Sequence, residues 1–540
     1  MRAAFAITSL TVLGIGLGLL LNLPPYSEHL LSVYHAPVAL DLILLLTAIA
    51  LLPALRRRGF RHVVAALLFI AVLLRLADLT TEIILSRPSN LYIDVRQLWP
   101  LAEFSLGVLG PWRSALFAVA GLLALALLYG AGFTLVGLAQ RHLPRQRPGM
   151  AVICLLAGTT YTLQPIERLG GRFYVDLTAS PTLTAQGRRI WETWRADTAF
   201  RLQLNDDPFA DRVHGTPLSG LQGMDVLLLF VESYGSSAIQ DPRYAATIVP
   251  TLERFADSLA QGGWQAVSSW LLSPTAGGQS WLAHDTLLSG LWIDSQVRHD
   301  LLVNSRRRTL IDDFNAAGYR TVAVKPAFTR HWPEGAFFGY DQVYARDDLG
   351  YAGPPYDWMT MPDQYTLAVL ERRERTDRNR PPLFAEVALI SSHVPWTPVP
   401  QVLDDWSQVG DGTLFARWAQ TGEPVDEIWL DETRIRRQYV LALNYVLRLL
   451  QSYVLRFADS RTLVIIVGDH QPLPVITGEE APRTVPMHVI STTPALLQPF
   501  LDWGFTPGLL PETTVHSMAA FRDRLLAGFS PRPDSASHGQ

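Results

Sequence analysis

Cysteine and lysine are almost absent from this chain. Its 540 residues include one cysteine, Cys154, and one lysine, Lys325. A single cysteine excludes an intramolecular disulfide and a metal cluster built on cysteine thiolates. It does not identify the compartment, because an oxidising space permits disulfides without requiring them. GC-rich codon usage explains why arginine replaces lysine, and a special role for Lys325 is the alternative.

An excess of positive charge is also absent. The formal net charge is −4, so the chain lacks the basic field with which proteins attract nucleic acid. We therefore expect no nucleic-acid partner. Apolar residues, in contrast, make up 49% of the chain and are concentrated in its first third. The chain is also too long for one ordinary domain, which predicts a membrane region followed by a separate domain.

Five apolar segments precede residue 165, and most approach the ~20 residues that span a bilayer. They lie near Ala3–Leu23, Ala36–Leu55, Val63–Leu85, Ala115–Leu138 and Met150–Leu163. The last segment is short and is interrupted by Gly158-Thr159-Thr160. We interpret the first segment as a retained anchor, because four more follow it. Residues 1–165 are thus predicted to form a transmembrane domain of about five helices.

Arginine-rich loops give this domain an orientation. They follow the second and the fourth segment and contain Arg56-Arg57-Arg58 with Arg61, and Arg141, Arg145 and Arg147. The positive-inside rule places both loops in the cytoplasm. Five spans then put the rest of the chain outside, in the periplasm if the cell is Gram-negative. The loop from Ser86 to Trp112 is predicted to lie outside as well.

The third segment carries three charged residues, Arg75, Asp78 and Glu82. Charge inside a membrane is costly and is usually paired or functional. A pair between Arg75 and Asp78 or Glu82 at helical spacing is one explanation. Contact with a lipid head group is the other.

Beyond the membrane region we expect a connector over residues 166–222, a globular domain over 223–530 and a disordered tail over 531–540. Apolar runs in the globular domain predict strands at Asp225–Val231, Arg320–Val324, Leu383–Ile390 and Thr462–Val467. Helical patterns separate them, at Pro250–Gln261, Arg307–Ala317, Asp363–Arg372 and Arg434–Arg456. Alternation of this kind predicts an α/β fold with a mostly parallel sheet.

Ionisable residues follow three of the predicted strands. Glu232 follows the first, His393 the third, and Asp469 with His470 the fourth. Ligands of α/β sheets gather at the carboxyl ends of the strands, and carboxylates with imidazole suit Mn²⁺, Mg²⁺ or Zn²⁺. Each residue alone also has an ordinary structural explanation, as a helix cap, a turn or a hydrogen-bonded histidine.

Ser280 stands directly before an apolar stretch that predicts a helix, within Ser273–Gly290. A helix N-terminus suits an oxygen nucleophile and the anion that it attacks. The competing interpretation is a simple N-cap. Thr275 is the alternative nucleophile, and His284, one helical turn after Ser280, assists the site or packs in the core.

Several motifs occur in an order that resembles a known family. They are Val231-Glu232-Ser233-Tyr234, Gly278-Gln279-Ser280, Leu288-Ser289-Gly290-Leu291, Gly318-Tyr319-Arg320-Thr321, Phe338-Gly339-Tyr340-Asp341, Met361-Pro362-Asp363, Ser392-His393-Val394-Pro395-Trp396, Gly468-Asp469-His470 and Val485-Pro486. With five spans, a connector and an outer domain, the chain resembles the membrane-anchored branch of the alkaline phosphatase/sulfatase superfamily. It is most similar to the lipoteichoic acid synthases and related phosphoglycerol transferases.

This resemblance implies a site. Glu232, Ser280, Asp469 and His470 would bind one divalent metal ion, with Mn²⁺ favoured and Mg²⁺ or Zn²⁺ as alternatives, and Ser280 would be the nucleophile. Three further positions would bind substrate, namely His393, Trp332 and Lys325, the last where the family tends to have histidine. Arg330 lies near the position of a family arginine, which Pro333-Glu334 occupies here.

The resemblance also implies an activity at the bacterial inner membrane. A phospholipid would donate its phosphoglycerol or phosphoethanolamine group through a phospho-Ser280 intermediate to an envelope glycan or lipid. The absence of disulfides disfavours phosphoethanolamine transferases of the lipid A type. Sulfatase activity is disfavoured by the lack of a Cys/Ser-x-Pro-x-Arg motif around Cys154 or Ser273. A hydrolase, a non-catalytic envelope scaffold and a transporter are the alternatives, and the oligomeric state is open.

Overall fold

The chain divides into two compact units, Met1–Ala196 and Asp197–Gln540. The computed structural model describes residues 2–23, 38–85, 88–163, 175–209, 216–328, 332, 334–356, 358–478, 480–512 and 514–531. The division falls inside a continuous helix in the predicted connector 166–222. All but the first residue of the predicted tail 531–540 lies outside the described residues.

The first unit is helical. Its helices are α1 (Arg2–Leu21), α2 (Leu40–Leu51), α3 (Arg58–Leu85), α4 (Leu91–Asp94), α5 (Leu98–His142), α6 (Arg147–Leu163) and α7 (Ala179–Gln203), the last of which continues into the second unit. Three 3₁₀ turns join them, at Pro53–Arg56, Val95–Gln97 and Leu143–Arg145. The short strands β1 (Val38–Ala39) and β2 (Val175–Asp176) pair in parallel.

Two helical stretches of the described chain are long and apolar enough to cross a membrane, Arg58–Thr81 and Leu109–Arg145. Phe5–Leu21 and Leu40–Leu51 are apolar but shorter. The predicted first, second, third and fifth segments correspond to α1, α2, α3 and α6, and the fourth lies within α5. Two candidate spans are therefore observed, and the number of five stays a prediction.

Most of the region predicted as an outer loop, Ser86 to Trp112, is helical. It contains α4, the 3₁₀ turn Val95–Gln97 and the start of α5. Gly110 interrupts α5 with a φ of 74°, immediately before Pro111. Proline lacks the N–H that continues a helix, and glycine tolerates positive φ, so this pair explains the break.

Asp78 finds its partners outside α3. Its Oδ1 atom accepts hydrogen bonds from the N–H (2.9 Å) and hydroxyl (2.6 Å) of Ser89 and lies 3.2 Å from an Arg189 guanidinium nitrogen. Arg75 donates instead to the Leu21 carbonyl at 3.3 Å. The side chain of Glu82 lies outside the described residues. Asp78 therefore joins α3 to α7 within the first unit.

The second unit is built on a nine-stranded sheet. Its strands are β3 (Asp225–Val231), β4 (Gln265–Leu272), β5 (Arg320–Lys325), β6 (Gln342–Ala345), β7 (Leu383–Leu389), β8 (Thr462–Gly468), β9 (Thr484–Ser491), β10 (Thr506–Pro507) and β11 (Val515–Ser517). The order is β10-β4-β9-β8-β3-β7-β5-β6, and β11 pairs with β4. The strands from β8 to β6 are parallel, whereas β9 runs antiparallel to β8 and to β4.

Helices cover both faces of this sheet. They are α8 (Ser237–Gln240), α9 (Pro242–Gln261), α10 (Ser280–Ser289), α11 (Gln296–Val303), α12 (Leu310–Ala316), α13 (Gly335–Phe338), α14 (Arg346–Leu349), α15 (Asp363–Leu370), α16 (Ala416–Ala419), α17 (Val425–Ile428), α18 (Glu432–Phe457), α19 (Pro474–Thr477), α20 (Pro494–Trp503) and α21 (Phe521–Phe529). A π-helical turn, Glu371–Arg375, extends α15, and 3₁₀ turns lie at Ser219–Leu221, Trp406–Val409, Thr413–Phe415 and Met518–Ala520.

Strand β3 shows why the predicted α/β fold is correct. Leu227 and Leu229 face one hydrophobic core, and Leu228 and Phe230 face the other. A strand buried on both faces reads as a continuous apolar run. The four predicted strands and four predicted helices of this domain are all present, and the strand ends agree to within one residue.

Strand β4 was missed because polar residues interrupt it. Ser268 is buried on β4 and donates to the Gly508 carbonyl at 2.6 Å. Its hydroxyl oxygen lies 2.7 Å from Nδ1 of His488 on β9, and Nε2 of His488 lies 3.1 Å from the Tyr234 hydroxyl. These contacts fit a neutral His488 that donates from Nδ1 and accepts at Nε2. Burial lowers the pKa of His488 to about 3.

The last turns of α7 belong to the core of the second unit. Phe200 and Leu204 pack in one cluster with Leu282 of α10 and Leu302 of α11, and the cluster also contains Leu291 and Ile293. Asp197 pairs with Arg298 at 3.4 Å. The residues from 197 onwards thus contribute to the packing of α10.

We expect His488→Gln to weaken the acid sensitivity of the purified full chain. An unfolded histidine binds a proton below about pH 6.5, whereas folded His488 stays neutral down to about pH 3. The free energy of unfolding therefore falls as pH drops from about 6.5 towards 3, with a slope of up to one proton. Glutamine does not titrate, so thermal unfolding between pH 7 and 4.5 should show a shallower pH dependence in the variant. Equal slopes would contradict a neutral buried His488.

Candidate active site and metal centre

Three side chains that follow β3 and β8 meet at the carboxyl edge of the sheet. They are Glu232, Asp469 and His470, and one potential ligand atom from each lies within 4.8 Å of the others. His470 Nε2 is 3.2 Å from Glu232 Oε1 and 3.8 Å from Asp469 Oδ2. All three side chains are buried. The parallel neighbours β3 and β8 produce this meeting, because Val231 pairs with Gly468.

Backbone groups fix the orientation of these side chains. Asp469 Oδ1 accepts from the N–H groups of Ser233 (2.8 Å) and His470 (2.6 Å). His470 Nδ1 lies 2.7 Å from the Gln471 carbonyl and donates to it. Such a bond fixes the tautomer of a ligating histidine and leaves Nε2 free to coordinate.

The end of β8 and the loop that follows β3 approach each other so closely that position 468 must be glycine. A Cβ atom at this position would lie 1.9 Å from the carbonyl oxygen of Tyr234. Ser233, which precedes Tyr234 in the loop after β3, adopts the left-handed region with a φ of 56°. A non-glycine residue there is uncommon and stores strain, which clusters at functional sites.

Ser280 joins this group from a third element. Its hydroxyl donates to Glu232 Oε2 at 2.9 Å, and its oxygen is 3.3 Å from His470 Nε2. Ser280 begins α10, and Gln279 before it is left-handed, with φ 62° and ψ 43°. The hydroxyl of Thr275, the alternative nucleophile, donates instead to the Gly278 carbonyl at 2.7 Å. The geometry thus favours Ser280 over Thr275.

A cation would balance the charges at this site. Burial, and then the charge of Glu232, raise the pKa of Asp469. Burial would lower the pKa of His470, but attraction by Asp469 and Glu232 outweighs it and raises the value to about 9. Two carboxylates held this close cannot both stay ionised without a positive charge beside them.

These residues fit a divalent metal ion. They offer two carboxylates, an oriented imidazole nitrogen and a hydroxyl, all directed at one point. Nitrogen and oxygen donors of this kind suit Mn²⁺ and Zn²⁺, and the carboxylates suit Mg²⁺. The donor set does not distinguish among the three ions.

His393 follows β7 and is tied to the same edge. Its Nδ1 lies 2.5 Å from the Val394 carbonyl, which leaves Nε2 without a hydrogen bond from the described residues, and its ring stacks on Trp358 at a centroid distance of 5.8 Å. The neighbouring Ser392 hydroxyl donates to the Glu232 carbonyl at 2.6 Å. Burial would raise the pKa of Glu232, but attraction by His470, and then by His393, lowers it.

Asp363 holds the loop of His393 in place. It is fully buried and accepts from the N–H groups of Ile390 (2.7 Å) and Ser391 (3.0 Å). Burial raises its pKa to about 7. The sequence predicted Asp363 only as the start of a helix, and its position before an apolar stretch did not indicate this second contact.

Lys325 lies in a second buried charged group on the same side of α10. Its ammonium contacts Glu386, and its Nζ is 2.9 Å from His284 Nδ1. His284 Nδ1 is 2.5 Å from Glu386 Oε1, and the Tyr340 hydroxyl donates to the other carboxylate oxygen. Burial first, and then the charge of Lys325, lower the pKa of His284. The ion pair is therefore Lys325 with Glu386, beside a neutral His284.

Glu386 was missed as a site residue. It is fully buried in the middle of β7, within the apolar run Leu383–Leu389. Burial would raise its pKa, but attraction by Lys325 and His284 lowers it. A lone carboxylate inside an apolar strand is costly to bury unless it is paired, and this was the available signal.

Trp332 lies over Lys325, with Nζ 5.9 Å from the ring centroid. It also stacks on Phe338, with centroids 5.7 Å apart. The structure thus brings Trp332 and Lys325 together. Arg330, the remaining predicted substrate residue, lies outside the described residues.

A mostly parallel sheet with carboxylates, an imidazole and a helix-borne hydroxyl at its carboxyl edge defines an α/β domain suited to metal-assisted attack by a hydroxyl. The family model described as Sulfatase matches residues 291–481. This stretch therefore resembles a sulfatase domain, the superfamily that the motifs predicted. The match contains Lys325, His393, Asp469 and His470 and begins after Ser280. No curated protein sequence matches the chain.

Several solved structures are similar at low identity. The lipoteichoic acid synthase LtaP from Listeria monocytogenes is 13% identical, with 62% of this chain and 78% of that chain covered and a TM-score of 0.37. The zinc complex of the periplasmic domain of EcEptC from Escherichia coli is 14% identical, with 59% of this chain and 86% of that chain covered and a TM-score of 0.39. The Streptococcus pyogenes phosphoglycerol transferase GacH, in complex with sn-glycerol-1-phosphate, is 12% identical, with 62% of this chain and 79% of that chain covered and a TM-score of 0.37.

Asp469→Asn and His470→Ala should each weaken metal binding, because each removes a donor that the surrounding backbone holds in place. Loss of even an outer partner weakens metal sites by about 10–100-fold, so we expect losses of at least that order. Isothermal titration of the full chain with Mn²⁺, Zn²⁺ and Mg²⁺ measures the affinity. Asp257→Asn, on the exposed face of α9, is the control. Retention of one tight equivalent by both site variants would contradict the assignment.

Lys325→Met should destabilise the chain more than Lys325→Met combined with Glu386→Gln. The single change leaves a buried carboxylate unpaired, which costs about 3–5 kcal/mol, and the second change removes that charge. Thermal unfolding of the full chain checks the order of the two variants. Additive losses would show that Lys325 and Glu386 do not stabilise each other.

Proposed function

We propose that the chain is a membrane-anchored, metal-dependent phosphotransferase with Ser280 as its nucleophile. One observation carries the proposal: the Ser280 hydroxyl donates to Glu232 inside the group that Asp469 and His470 complete. A bound divalent ion would stabilise the negative charge that develops on the phosphoryl oxygens. The resemblance to a sulfatase domain and the ordered motifs support this type of chemistry.

In the first half-reaction the Ser280 oxygen attacks the phosphorus of a phospholipid head group. An Oγ–P bond forms, the P–O bond to diacylglycerol breaks, and the serine proton is finally transferred to the diacylglycerol oxygen. Glu232 is placed to receive that proton, because it accepts the Ser280 hydrogen bond. His393, whose Nε2 has no hydrogen bond from the described residues, is placed to deliver a proton to the leaving oxygen.

In the second half-reaction a hydroxyl of an envelope glycan or lipid attacks phospho-Ser280. The new P–O bond releases the serine oxygen, which regains a proton. Donor and acceptor use one pocket in turn, which suits an enzyme beside a membrane. Diacylglycerol, the first product, stays in the bilayer, and the candidate spans would keep the enzyme beside it.

The head group would lie against Trp332 and Lys325, with Arg330 as a further contact. Lys325 is near the nucleophile because its partner His284 lies one helical turn after Ser280 on α10. We propose phosphoglycerol or phosphoethanolamine as the group transferred and Mn²⁺ as the favoured ion. The site would lie outside the inner membrane, in a multi-pass protein.

Ser280→Ala should abolish transfer from phosphatidylglycerol or phosphatidylethanolamine, with a loss on the order of 10³-fold or more, because no other group forms the covalent bond. Release of diacylglycerol measures turnover. Mass spectrometry of the Ser280 peptide from the wild type should find an added head-group phosphate, whose mass names the head group.

Thr275→Val is the control and should retain the modified peptide and most of the turnover. Modification of Thr275 instead would overturn the choice of nucleophile. Metal binding without lipid turnover in any variant would favour the scaffold interpretation. Turnover that releases free glycerol phosphate, with no acceptor product, would identify a hydrolase.

A further inference from the structure

A charged cavity lies at the edge of the sheet opposite the candidate metal centre. It has a volume of about 490 Å³ and is lined by the residues around the amino ends of β3, β7 and β8. Seven residues of β3 separate its Asp225 from Glu232 of the candidate metal centre, or about 23 Å at ~3.3 Å per residue. The cavity is therefore distinct from the proposed active site.

Arginine dominates the lining of this cavity. Six arginines face three carboxylates, namely Arg372, Arg375, Arg378, Arg380, Arg456 and Arg461 against Asp225, Glu371 and Asp459. A cavity of a few hundred Å³ with convergent polar groups is the usual form of a ligand site. Guanidinium groups are the preferred partners of carboxylate and phosphate.

Two of the arginines already satisfy the inner carboxylates. Arg380 contacts both oxygens of Asp225, at 2.8 and 2.6 Å, and Arg375 contacts Asp225 at 3.1 Å and Glu371 at 2.7 Å. Burial would raise the pKa of Asp225, but these partners lower it. Arg375 and Arg380 therefore compensate the inner carboxylates, and Arg378 pairs with Asp459 at 3.2 Å.

Three outer arginines have no acidic partner. Within the part of the chain that the structure describes, no carboxylate oxygen lies within 4 Å of the guanidinium nitrogens of Arg372, Arg456 or Arg461. In addition, the Nε–H of Arg380 is buried in the cavity wall without an acceptor from the described protein. A buried donor without a partner costs free energy, so this wall favours an oxyanion.

Helix dipoles explain only some of these arginines. Arg372 and Arg456 stand at the carboxyl ends of α15 and α18, where positive charge stabilises a helix. Arg378, Arg380 and Arg461 precede strands and gain nothing from a helix end. Arg378 and Arg380 instead pair with Asp459 and Asp225, so Arg461 is the outer arginine that neither a helix end nor an acidic partner among the described residues explains.

An adjoining cavity, of about 690 Å³, continues from the first and shares Glu371, Arg372, Arg456 and Phe457 with it. This adjoining cavity is lined by fewer arginines and adds Trp406, Ser407 and Asp411. Together the two cavities form one groove. One end of this groove therefore suits acidic groups, and the other offers hydroxyl, carboxylate and aromatic partners for a hydroxyl-rich chain. An elongated ligand with both properties is an acidic carbohydrate.

We propose that this groove binds an anionic glycan, held through its carboxylate or phosphate groups by Arg456, Arg461 and Arg372. The site is separate from the transfer reaction, so the groove would hold envelope carbohydrate while the opposite edge of the sheet carries out chemistry.

Isothermal titration of the full chain in detergent, at low ionic strength, tests the proposal. The probes are hexagalacturonate, neutral maltohexaose of the same length, inorganic phosphate and dihexanoyl phosphatidylglycerol below its micelle concentration. We expect hexagalacturonate to bind at least tenfold more tightly than maltohexaose, and inorganic phosphate to bind more weakly than hexagalacturonate. The same affinities are expected in Ser280→Ala, so the result is independent of whether the proposed phosphotransfer is correct.

Arg456→Gln combined with Arg461→Gln should weaken hexagalacturonate binding at least tenfold and leave Ser280-dependent turnover unchanged. The matched control is Arg437→Gln with Arg448→Gln, which removes two exposed charges from α18 outside the groove. It should retain the affinity to within about twofold.

Equal losses of hexagalacturonate affinity in both double variants would show that binding depends only on the overall charge of the chain, and would overturn the proposal. Failure of the wild type to bind hexagalacturonate would do the same. Binding of dihexanoyl phosphatidylglycerol that Arg456→Gln combined with Arg461→Gln removes, without any binding of the glycan, would assign the groove to lipid instead.

Discussion

Two buried carboxylates directed at one imidazole are the constraint on which the candidate site depends. Glu232 and Asp469 repel each other at this distance, and the imidazole of His470 alone balances them only by holding an extra proton. The protein tolerates this because backbone N–H groups neutralise part of the charge on Asp469. A cation is the natural completion of such an arrangement. The serine hydroxyl is held where that cation would act.

Helix α10 connects this constraint to the rest of the domain. Ser280 starts the helix, His284 one turn later contacts the Lys325–Glu386 pair, and Leu282 between them packs in a hydrophobic cluster. A displacement of α10 would therefore disturb the nucleophile and the proposed head-group pocket together. Glu386, which is fully buried and contacts both His284 and Lys325, links α10 to β5.

The sequence predicted the parts of this site that periodicity and strand ends determine. Continuous apolar runs identified β3, β5, β7 and β8, and parallel pairing then brought Glu232 and Asp469 to one edge. Glu386 escaped prediction because its partners come from β5 and α10, far away in the chain. Strand β4 escaped because buried serines satisfied by Gly508 and His488 look like surface residues in the sequence. The positions of Glu386 and of β4 both depend on contacts between residues far apart in the chain, which local sequence preference does not reveal.

The packing of Phe200 and Leu204 against Leu282 has a consequence for how such proteins exchange domains. A recombination point at the start of β3 would transfer every recognisable motif, yet it would leave the apolar side of the nucleophile helix exposed to water. A point ahead of Asp197 would transfer the covering residues with it. Inheritance of the second unit therefore includes a stretch that carries no motif, and selection on that stretch would act through the position of Ser280.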